Sequence, residues 1–304
     1  MLQHNALTVA RLLWLKHNLR PESKGGVVEP YLWLAAGVVL IVAVLAGRPI
    51  LRTVRRKRLR AAPFPFRWQE FLKRHVSLYR HLPEELREQL HGDINVFLAE
   101  KRFEGCGGLE ITEEIRVTVA AEACMLLLNR PRHYFPRLHS VLVYPTAYFA
   151  RHATPLGGGG YLEEDVPLLG QSWRGGSLVL AWDHVKADAR NGQDGHNVVL
   201  HEFAHQLDEE NGPADGAPVL DSPARYAAWA RVCRQEYEEL CRDVKLHRPS
   251  VLDAYGATNP AEFFAVATET FFEKPRQLRR HEPDLYGVLK DYYRINPAEW
   301  AASP

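Results

Sequence analysis

The clearest hydrophobic pattern in the chain runs from residue 198 to residue 208, with the sequence VVLHEFAHQLD. Its apolar positions recur with helical spacing and form one stripe, which predicts a helix packed into a hydrophobic core. Asn197 is a candidate N-cap for this helix, and Asn211 with Gly212 forms a candidate stop signal. We therefore expect the rest of the fold to pack around this helix.

Two short β-type runs precede the helix, at residues 140–145 and 177–182. We predict both as strands, and we expect the second to be an edge strand that an extended peptide could join by β-addition. Helical spacing elsewhere predicts further helices at residues 68–79, 83–100, 112–128, 224–246 and from residue 260 onward. The whole pattern predicts a helix-rich α+β fold with a small β-sheet next to the 198–208 helix.

Two stretches favour irregular backbone. Residues 1–30 are mixed in character and contain Gly25, Gly26 and Pro30, which indicates a loose start. Residues 157–160 are four consecutive glycines, and they predict a flexible surface loop more strongly than a gate over a substrate.

An apolar run without any charged residue lies near the N-terminus, at residues 31–47. It reaches the lower limit of the roughly 17–25 apolar residues that a membrane-spanning helix needs. Tyr31 and Trp33 stand at one end, where interfacial aromatic residues are common. Seven cations follow between residues 48 and 60, and the positive-inside rule places them on the cytoplasmic side.

The sequence therefore predicts an N-terminal segment, residues 1–60, with a transmembrane helix at 31–47 and a basic flank that contacts the lipid surface. Residues 61–304 are the predicted globular domain, cytoplasmic and anchored to the bacterial inner membrane. A signal peptide would show the opposite order of charge and apolar residues. The alternative is a soluble cytoplasmic protein whose true start lies further along the chain.

Composition adds a few limits to this picture. The chain has 304 residues, 46% of them hydrophobic, which is enough for one sizeable core. A net charge of +1 argues against direct binding of nucleic acid. The four cysteines form no CxxC pair, which favours reduced thiols in a cytoplasm over a secreted disulfide scaffold.

The 198–208 helix carries the pattern His-Glu-x-x-His, formed by His201, Glu202 and His205. Histidines four residues apart share one face of a helix, where two ring nitrogens can hold one Zn²⁺. Glu202 can then act as general base toward water at the metal. The alternative, two surface histidines that flank a glutamate by chance, is disfavoured by the apolar surroundings. Asp208 could orient His205 or could simply be a solvated carboxylate at the helix end.

A third zinc ligand has to come from a later helix, for which Asn259 and Pro260 are start signals. Glu262 and Glu269 share one face of this apolar helix, and buried carboxylates need a positive partner. Glu262 is the favoured ligand, while Glu269 is better suited to orient a ligand histidine. The alternative for Glu262 is a capping role, since Asn-x-x-Glu is similar to a capping box.

Together these motifs resemble the Mlc titration factor A family of bacterial zinc peptidases over roughly residues 66–296. The resemblance rests on KRFEG at 101–105, VYP at 143–145, LAWD at 180–183, HEFAHQLD at 201–208 with the following Asn-Gly at 211–212, and the segment 253–266. It implies a zincin-like metallopeptidase core, aminopeptidase-type hydrolysis of short peptides, and binding to the glucose-system repressor Mlc. The hydrophobic N-terminus departs from the family, whose members are thought of as cytoplasmic.

The resemblance also implies a role for each site residue. His201, His205 and Glu262 would bind zinc, Glu202 would be the general base, and Tyr255 would help to stabilise the oxyanion. The predicted function is a zinc-dependent peptidase, residues 61–304, linked to regulation of sugar uptake through an Mlc-type repressor. The alternatives are a repressor-sequestering protein with secondary peptidase activity, and a membrane-associated structural protein with an accidental motif.

Overall fold

A computed structural model describes residues 28–131, 133–146, 148–156, 160–168, 170–173 and 176–300. The loose start predicted for residues 1–30 and the glycine loop predicted at 157–160 lie mostly outside these residues. The chain divides into two units between Arg55 and Arg56.

The predicted membrane anchor and its basic flank form one helix, α1, Val28–Arg60, of 33 residues with Pro49 inside it. In the part of the chain that the structure describes, no helix combines the length and the apolar character needed to cross a bilayer. The prediction of a transmembrane helix at residues 31–47 is therefore wrong, and the structure does not support the predicted membrane anchoring. The apolar run is not an element of its own, because the same helix continues into a strongly basic last turn.

Two cations of the basic flank, Arg56 and Arg60, belong to the second unit and pair with acids of that unit. Arg56 donates two hydrogen bonds of 2.7 Å to Glu100, and its guanidinium lies 4.6 Å from the ring centre of Tyr134. Arg60 Nε lies 3.2 Å from a carboxylate oxygen of Asp93, which is fully buried. These two arginines therefore stabilise the globular unit, whereas the sequence had suggested a contact with lipid.

The second unit continues with further helices and two small sheets. Its remaining helices are α2 (Phe66–His75), α3 (Ser77–His81), α4 (Glu84–Glu100), α5 (Glu113–Met125), α6 (Trp182–Arg190), α7 (Val198–Asp208), α8 (Pro223–Lys245), α9 (Pro260–Glu273), α10 (Pro275–His281) and α11 (Pro283–Tyr293). Its strands are β1 (Arg102–Gly105), β2 (Ser140–Tyr144), β3 (Tyr148–Leu156), β4 (Gly160–Leu168), β5 (Gly170–Trp173) and β6 (Ser177–Ala181). Short 3-10 turns lie at Glu209–Asn211, Ala254–Ala257 and Pro297–Glu299.

The larger sheet has the strand order β1-β2-β6-β5, and β3 pairs with β4 in a separate antiparallel hairpin. Strands β1, β2 and β6 are parallel, with Val143 opposite Leu180, and β5 runs antiparallel to β6. The prediction that the strand before α7 is an edge strand is wrong, because β6 has a partner on both sides. The antiparallel neighbour β5 has no strong alternating pattern that would have indicated it.

The core lies between this sheet and the helices, and α7 runs through it. Phe203 of α7 packs against Phe135, with 4.7 Å between ring centres, and against Phe97 at 5.7 Å. All three side chains are buried, and each contributes about 2–3 kcal/mol through removal of apolar surface from water. Apart from the predicted membrane helix, the helix-rich α+β architecture agrees with the sequence.

Candidate metal centre

Helix α7 places the two histidines of the motif side by side. The helix begins after Asn197, whose side-chain oxygen accepts a hydrogen bond of 3.0 Å from the backbone N–H of Leu200. His201 and His205 are one turn apart, with 4.9 Å between ring centres and an angle of 81° between the rings. The N-cap and the apolar stripe therefore give the histidines a fixed position at the edge of the core.

Helix α9 brings the third donor. Asn259 caps this helix by accepting a hydrogen bond of 3.0 Å from the backbone N–H of Glu262. The Glu262 carboxylate turns toward α7, and its Oε2 lies 3.0 Å from His201 Nε2 and 3.4 Å from His205 Nε2. One donor atom from each of the three residues lies within 4.8 Å of the others. The structure thus brings together the three residues that the sequence predicted as ligands.

Glu269, two turns further along α9, contacts the other ring nitrogen of His201. Its Oε1 lies 2.7 Å from His201 Nδ1, and its Oε2 accepts a hydrogen bond of 2.5 Å from the backbone N–H of Asn197. The carboxylate therefore holds the ring so that Nε2 faces Glu262. This is the orienting position that the sequence analysis favoured for Glu269.

Burial and neighbouring charges shift the pKa values of this group in opposite directions. Burial would raise the pKa of Glu262, but hydrogen bonds with His201 and His205 lower it to about 2. Burial opposes a charge on His201, yet its bonds to Glu262 and Glu269 raise its pKa to about 10. Burial raises the pKa of Glu202 to about 7, although both histidines act against this shift. The cluster therefore concentrates negative charge around two imidazoles, as a cation site requires.

A layer of buried carboxyl groups lies behind Glu269, and the sequence analysis missed it. Asn197 Nδ2 donates to Glu122 Oε1 at 2.9 Å and to Glu273 Oε1 at 3.2 Å. Burial raises the pKa of Glu122 to about 8 and that of Glu273 to about 10. Asp188 accepts a hydrogen bond of 2.9 Å from the backbone N–H of Val198. A lone glutamate inside the apolar helix α5 was the signal that could have revealed Glu122.

Tyr255 lies beside the histidines, on the 3-10 turn that Asp253 caps. Its ring centre is 5.9 Å from that of His201, and the side chain is 54% exposed. Burial, and to a lesser degree Glu262 and Glu202, raise the pKa of its hydroxyl. The tyrosine is therefore a neutral donor at the open side of the cluster.

Asp208 has neither of the two roles considered from the sequence. It is buried, so it is not a solvated helix end, and His205 Nδ1 has no hydrogen-bond partner among the described residues. Its Oδ2 instead accepts a hydrogen bond of 2.7 Å from the backbone N–H of Gly216. Gly216 has φ +81°, and a Cβ there would lie 2.4 Å from the carbonyl oxygen of Pro260. Asp208 thereby holds a loop against the start of α9.

The donor set fits Zn²⁺. Two imidazole nitrogens and one carboxylate oxygen are typical of catalytic zinc, which keeps a fourth position open. Ligand atoms about 2.0–2.1 Å from tetrahedral zinc stand about 3.3 Å apart. The 3.0 and 3.4 Å between Glu262 Oε2 and the two Nε2 atoms are close to that value. Glu202 Oε2 is buried without a hydrogen-bond partner among the described residues, which suits an acceptor that faces a ligand site.

This geometry defines a class of protein before any relative is considered. Two histidines on one helix, the glutamate between them and a carboxylate from a following helix are the arrangement of metal-dependent hydrolases. The sequence model of the glucose-regulated metallo-peptidase M90 family matches residues 51–294. The chain belongs to this family.

Similar proteins support the same assignment. The chain is 42% identical over 258 residues to an uncharacterized protein of Synechocystis sp.. The aligned region covers 84% of this chain and 94% of the relative. It is 31% identical over 234 residues to Mlc titration factor A of Klebsiella pneumoniae, and the aligned region covers 76% of this chain and 86% of the relative. It is 29% identical over 243 residues to Mlc titration factor A of Escherichia coli, with 76% and 87% covered. The family predicted from the sequence motifs is thereby confirmed.

Proposed function

We propose that the protein is a zinc-dependent peptidase of the aminopeptidase type, acting on short peptides. His201, His205 and Glu262 hold the metal in this proposal. It depends above all on one observation, the convergence of three donor atoms within 4.8 Å of one another. Membership of the M90 family supports a metallopeptidase, and the choice of short peptides with a free N-terminus follows from the sequence resemblance.

The chain's own residues would divide the reaction between them. When bound, zinc supplies a Lewis acid that polarises the scissile carbonyl and makes water more acidic. Glu202 takes a proton from the attacking water and passes it to the leaving amine. Tyr255 donates a hydrogen bond to the carbonyl oxygen as negative charge develops there. Glu269 keeps the His201 ring in its orientation throughout.

The full chain, purified without added metal, tests this proposal. We expect about one zinc per chain by atomic absorption, and cleavage of peptides with a free N-terminus but not of their N-acetylated forms. Glu202→Gln should keep its zinc and lose at least about 100-fold in rate. Glu238→Gln, an exposed change on α8, is the control and should cleave normally.

Each part of the proposal has its own contrary result. Peptide cleavage by Glu202→Gln at the wild-type rate would contradict the role of Glu202 as general base. Equal cleavage of acetylated and free peptides would contradict the aminopeptidase type alone. A natively purified chain without stoichiometric zinc would contradict the metal.

The name of the relatives, Mlc titration factor A, favours a second candidate function. In this alternative the protein sequesters an Mlc-type transcriptional repressor, and peptidase activity is secondary. Glu202→Gln separates the two candidates when it is mixed with the purified repressor on operator DNA. Release of the repressor by the variant would favour sequestration, whereas release by the wild type alone would favour the peptidase.

A further inference from the structure

A pocket with an excess of guanidinium groups lies where the start of α8 meets the end of α11. Its cavity volume is about 80 Å³. Its lining includes Arg130, Arg225 and Arg294, together with the two carboxylates Asp221 and Glu210. None of these residues belongs to the proposed metal centre, so the pocket is a separate feature of the molecule.

The carboxylates of the pocket do not fully neutralise its arginines. Arg225 and Arg294 pair with the same Asp221 oxygen, at 3.0 and 2.7 Å, so one anion serves two cations. The Arg130 guanidinium lies 3.9 Å from the ring centre of Tyr292. It forms no ion pair with a carboxylate in the described parts of the chain.

The second carboxylate, Glu210, already has a partner of its own. Its Oε2 lies 3.4 Å from His133 Nδ1. The lining thus carries three guanidiniums against two carboxylates, both of which are engaged. An excess of positive charge in a concave site attracts small anions.

Tyr292 provides an independent indication of a ligand. The side chain is only 5% exposed, and its hydroxyl is buried in the lining of the pocket. The hydroxyl proton has no acceptor among the residues that the structure describes. Buried donors are normally satisfied, so an unsatisfied hydroxyl beside a pocket indicates an acceptor that enters from outside.

We propose that this pocket binds a compact oxyanion, a phosphate or carboxylate group, between Arg130, Arg225 and Arg294, with the Tyr292 hydroxyl as a further donor. The planar fork of a guanidinium matches the paired oxygens of both groups. Phosphate in solution and the C-terminal carboxylate of a peptide are the two sources of this chemistry. The inference is independent of the peptidase function, because no residue of the metal centre takes part.

Calorimetric titration of the full, zinc-containing chain tests the proposal at constant ionic strength. One arm uses inorganic phosphate, and the other uses N-acetyl-tetraalanine as the free acid and as its amide. We expect saturable binding in at least one arm, with affinity about tenfold lower in Tyr292→Phe and in Arg130→Gln. Arg242→Gln on the exposed face of α8 is the matched control and should bind as the wild type does.

Tyr292→Phe removes one oxygen atom and keeps the ring against Arg130, so a folding defect is not expected to obscure the result. Zinc content measured in every variant separates loss of the anion from loss of metal. Saturation by phosphate alone assigns the site to free phosphate, and saturation by the free acid but not the amide assigns it to a peptide terminus. No saturable binding in either arm, or wild-type affinity in both variants, would overturn the proposal.

Discussion

At the residue scale, the two glutamates of α9 differ because they contact different nitrogens of His201. Glu262 lies 3.0 Å from Nε2, and Glu269 lies 2.7 Å from Nδ1. We expect Glu262→Ala to lose zinc, since one of three proposed ligands is removed. Glu269→Ala should keep zinc with roughly 10–100-fold lower affinity, the usual effect of losing a carboxylate that orients a ligand histidine.

The two variants form a matched pair, with the same substitution on the same helix seven residues apart. Zinc affinity is measured by competition with a chelator, and zinc content by atomic absorption. If Glu262→Ala kept the wild-type zinc content and Glu269→Ala lost its zinc, Glu269 would be the ligand and Glu262 would not.

Tyr255 is a second case in which one atom is expected to matter. Its ring lies beside that of His201, and the side chain is half exposed, so the hydroxyl can reach a substrate. If it stabilises the developing oxyanion, Tyr255→Phe should lower kcat about 100-fold and leave KM nearly unchanged. Tyr286→Phe, which removes a hydroxyl from α11, is the control. A rise in KM of about 100-fold with constant kcat would instead indicate a role in substrate binding.

At the scale of the elements, the start of α7 is held by carboxyl groups from three other helices, α5, α6 and α9. Glu122 of α5 is 1% exposed, and its Oε1 accepts from the side chain of Asn197 at 2.9 Å. Burial raises its pKa from 4.5 to about 8, the charge of Asp188 adds to the rise, and Glu273 binds the same Asn197 side chain. Between pH 5 and 8 the folded chain therefore keeps a proton that the unfolded chain releases.

This difference in bound protons makes the folded state less stable as pH rises through that range. The size of the pKa shift corresponds to a loss of roughly 5 kcal/mol in the free energy of unfolding. We expect Glu122→Gln to remove this part of the pH dependence, because the amide stays neutral and can still accept from Asn197. Urea denaturation at several pH values measures the slope, with the exposed Glu238→Gln as control. If the free energy of unfolding depended on pH in the same way in Glu122→Gln and in the wild type, the proton would not be bound by Glu122.

At the scale of the whole molecule, local signals in the sequence were enough to predict helices α7 and α9, which carry the proposed metal ligands. The N-cap residues Asn197 and Asn259 both accept the hydrogen bonds that their positions suggested. Glu262 and Glu269 share one face of α9, and this pattern predicted that Glu262 lies near the histidines. These features depend on neighbours a few residues apart, so the sequence pattern contains them.

Features that depend on distant parts of the chain were not predictable in the same way. Glu122 reaches Asn197 across 75 residues, and no local pattern records that contact. Strand β5 pairs with β6 although its sequence, Gly-Gln-Ser-Trp, has no strong strand character. The helix at 31–47 was predicted to end before its basic flank, whereas one continuous helix contains both segments.

Helix α1 ends at Arg60, within the second unit. Arg60 lies 3.2 Å from the buried Asp93, whose Oδ1 also accepts a hydrogen bond of 2.6 Å from the Tyr134 hydroxyl. Arg60→Met keeps much of the packing but removes a positive partner from a buried carboxylate. We expect a loss of about 2 kcal/mol in the free energy of unfolding, less than for a fully buried pair because Arg60 is partly exposed.

Arg58 provides the matched control, since it lies on the same turn of α1 but is exposed. Arg58→Met should change the free energy of unfolding by no more than about 0.5 kcal/mol. Denaturant midpoints of the two variants and the wild type, measured on the full chain, give the comparison. Equal effects of the two substitutions would mean that the basic flank acts through its total charge, and the ion pair with Asp93 would then have no special part in stability.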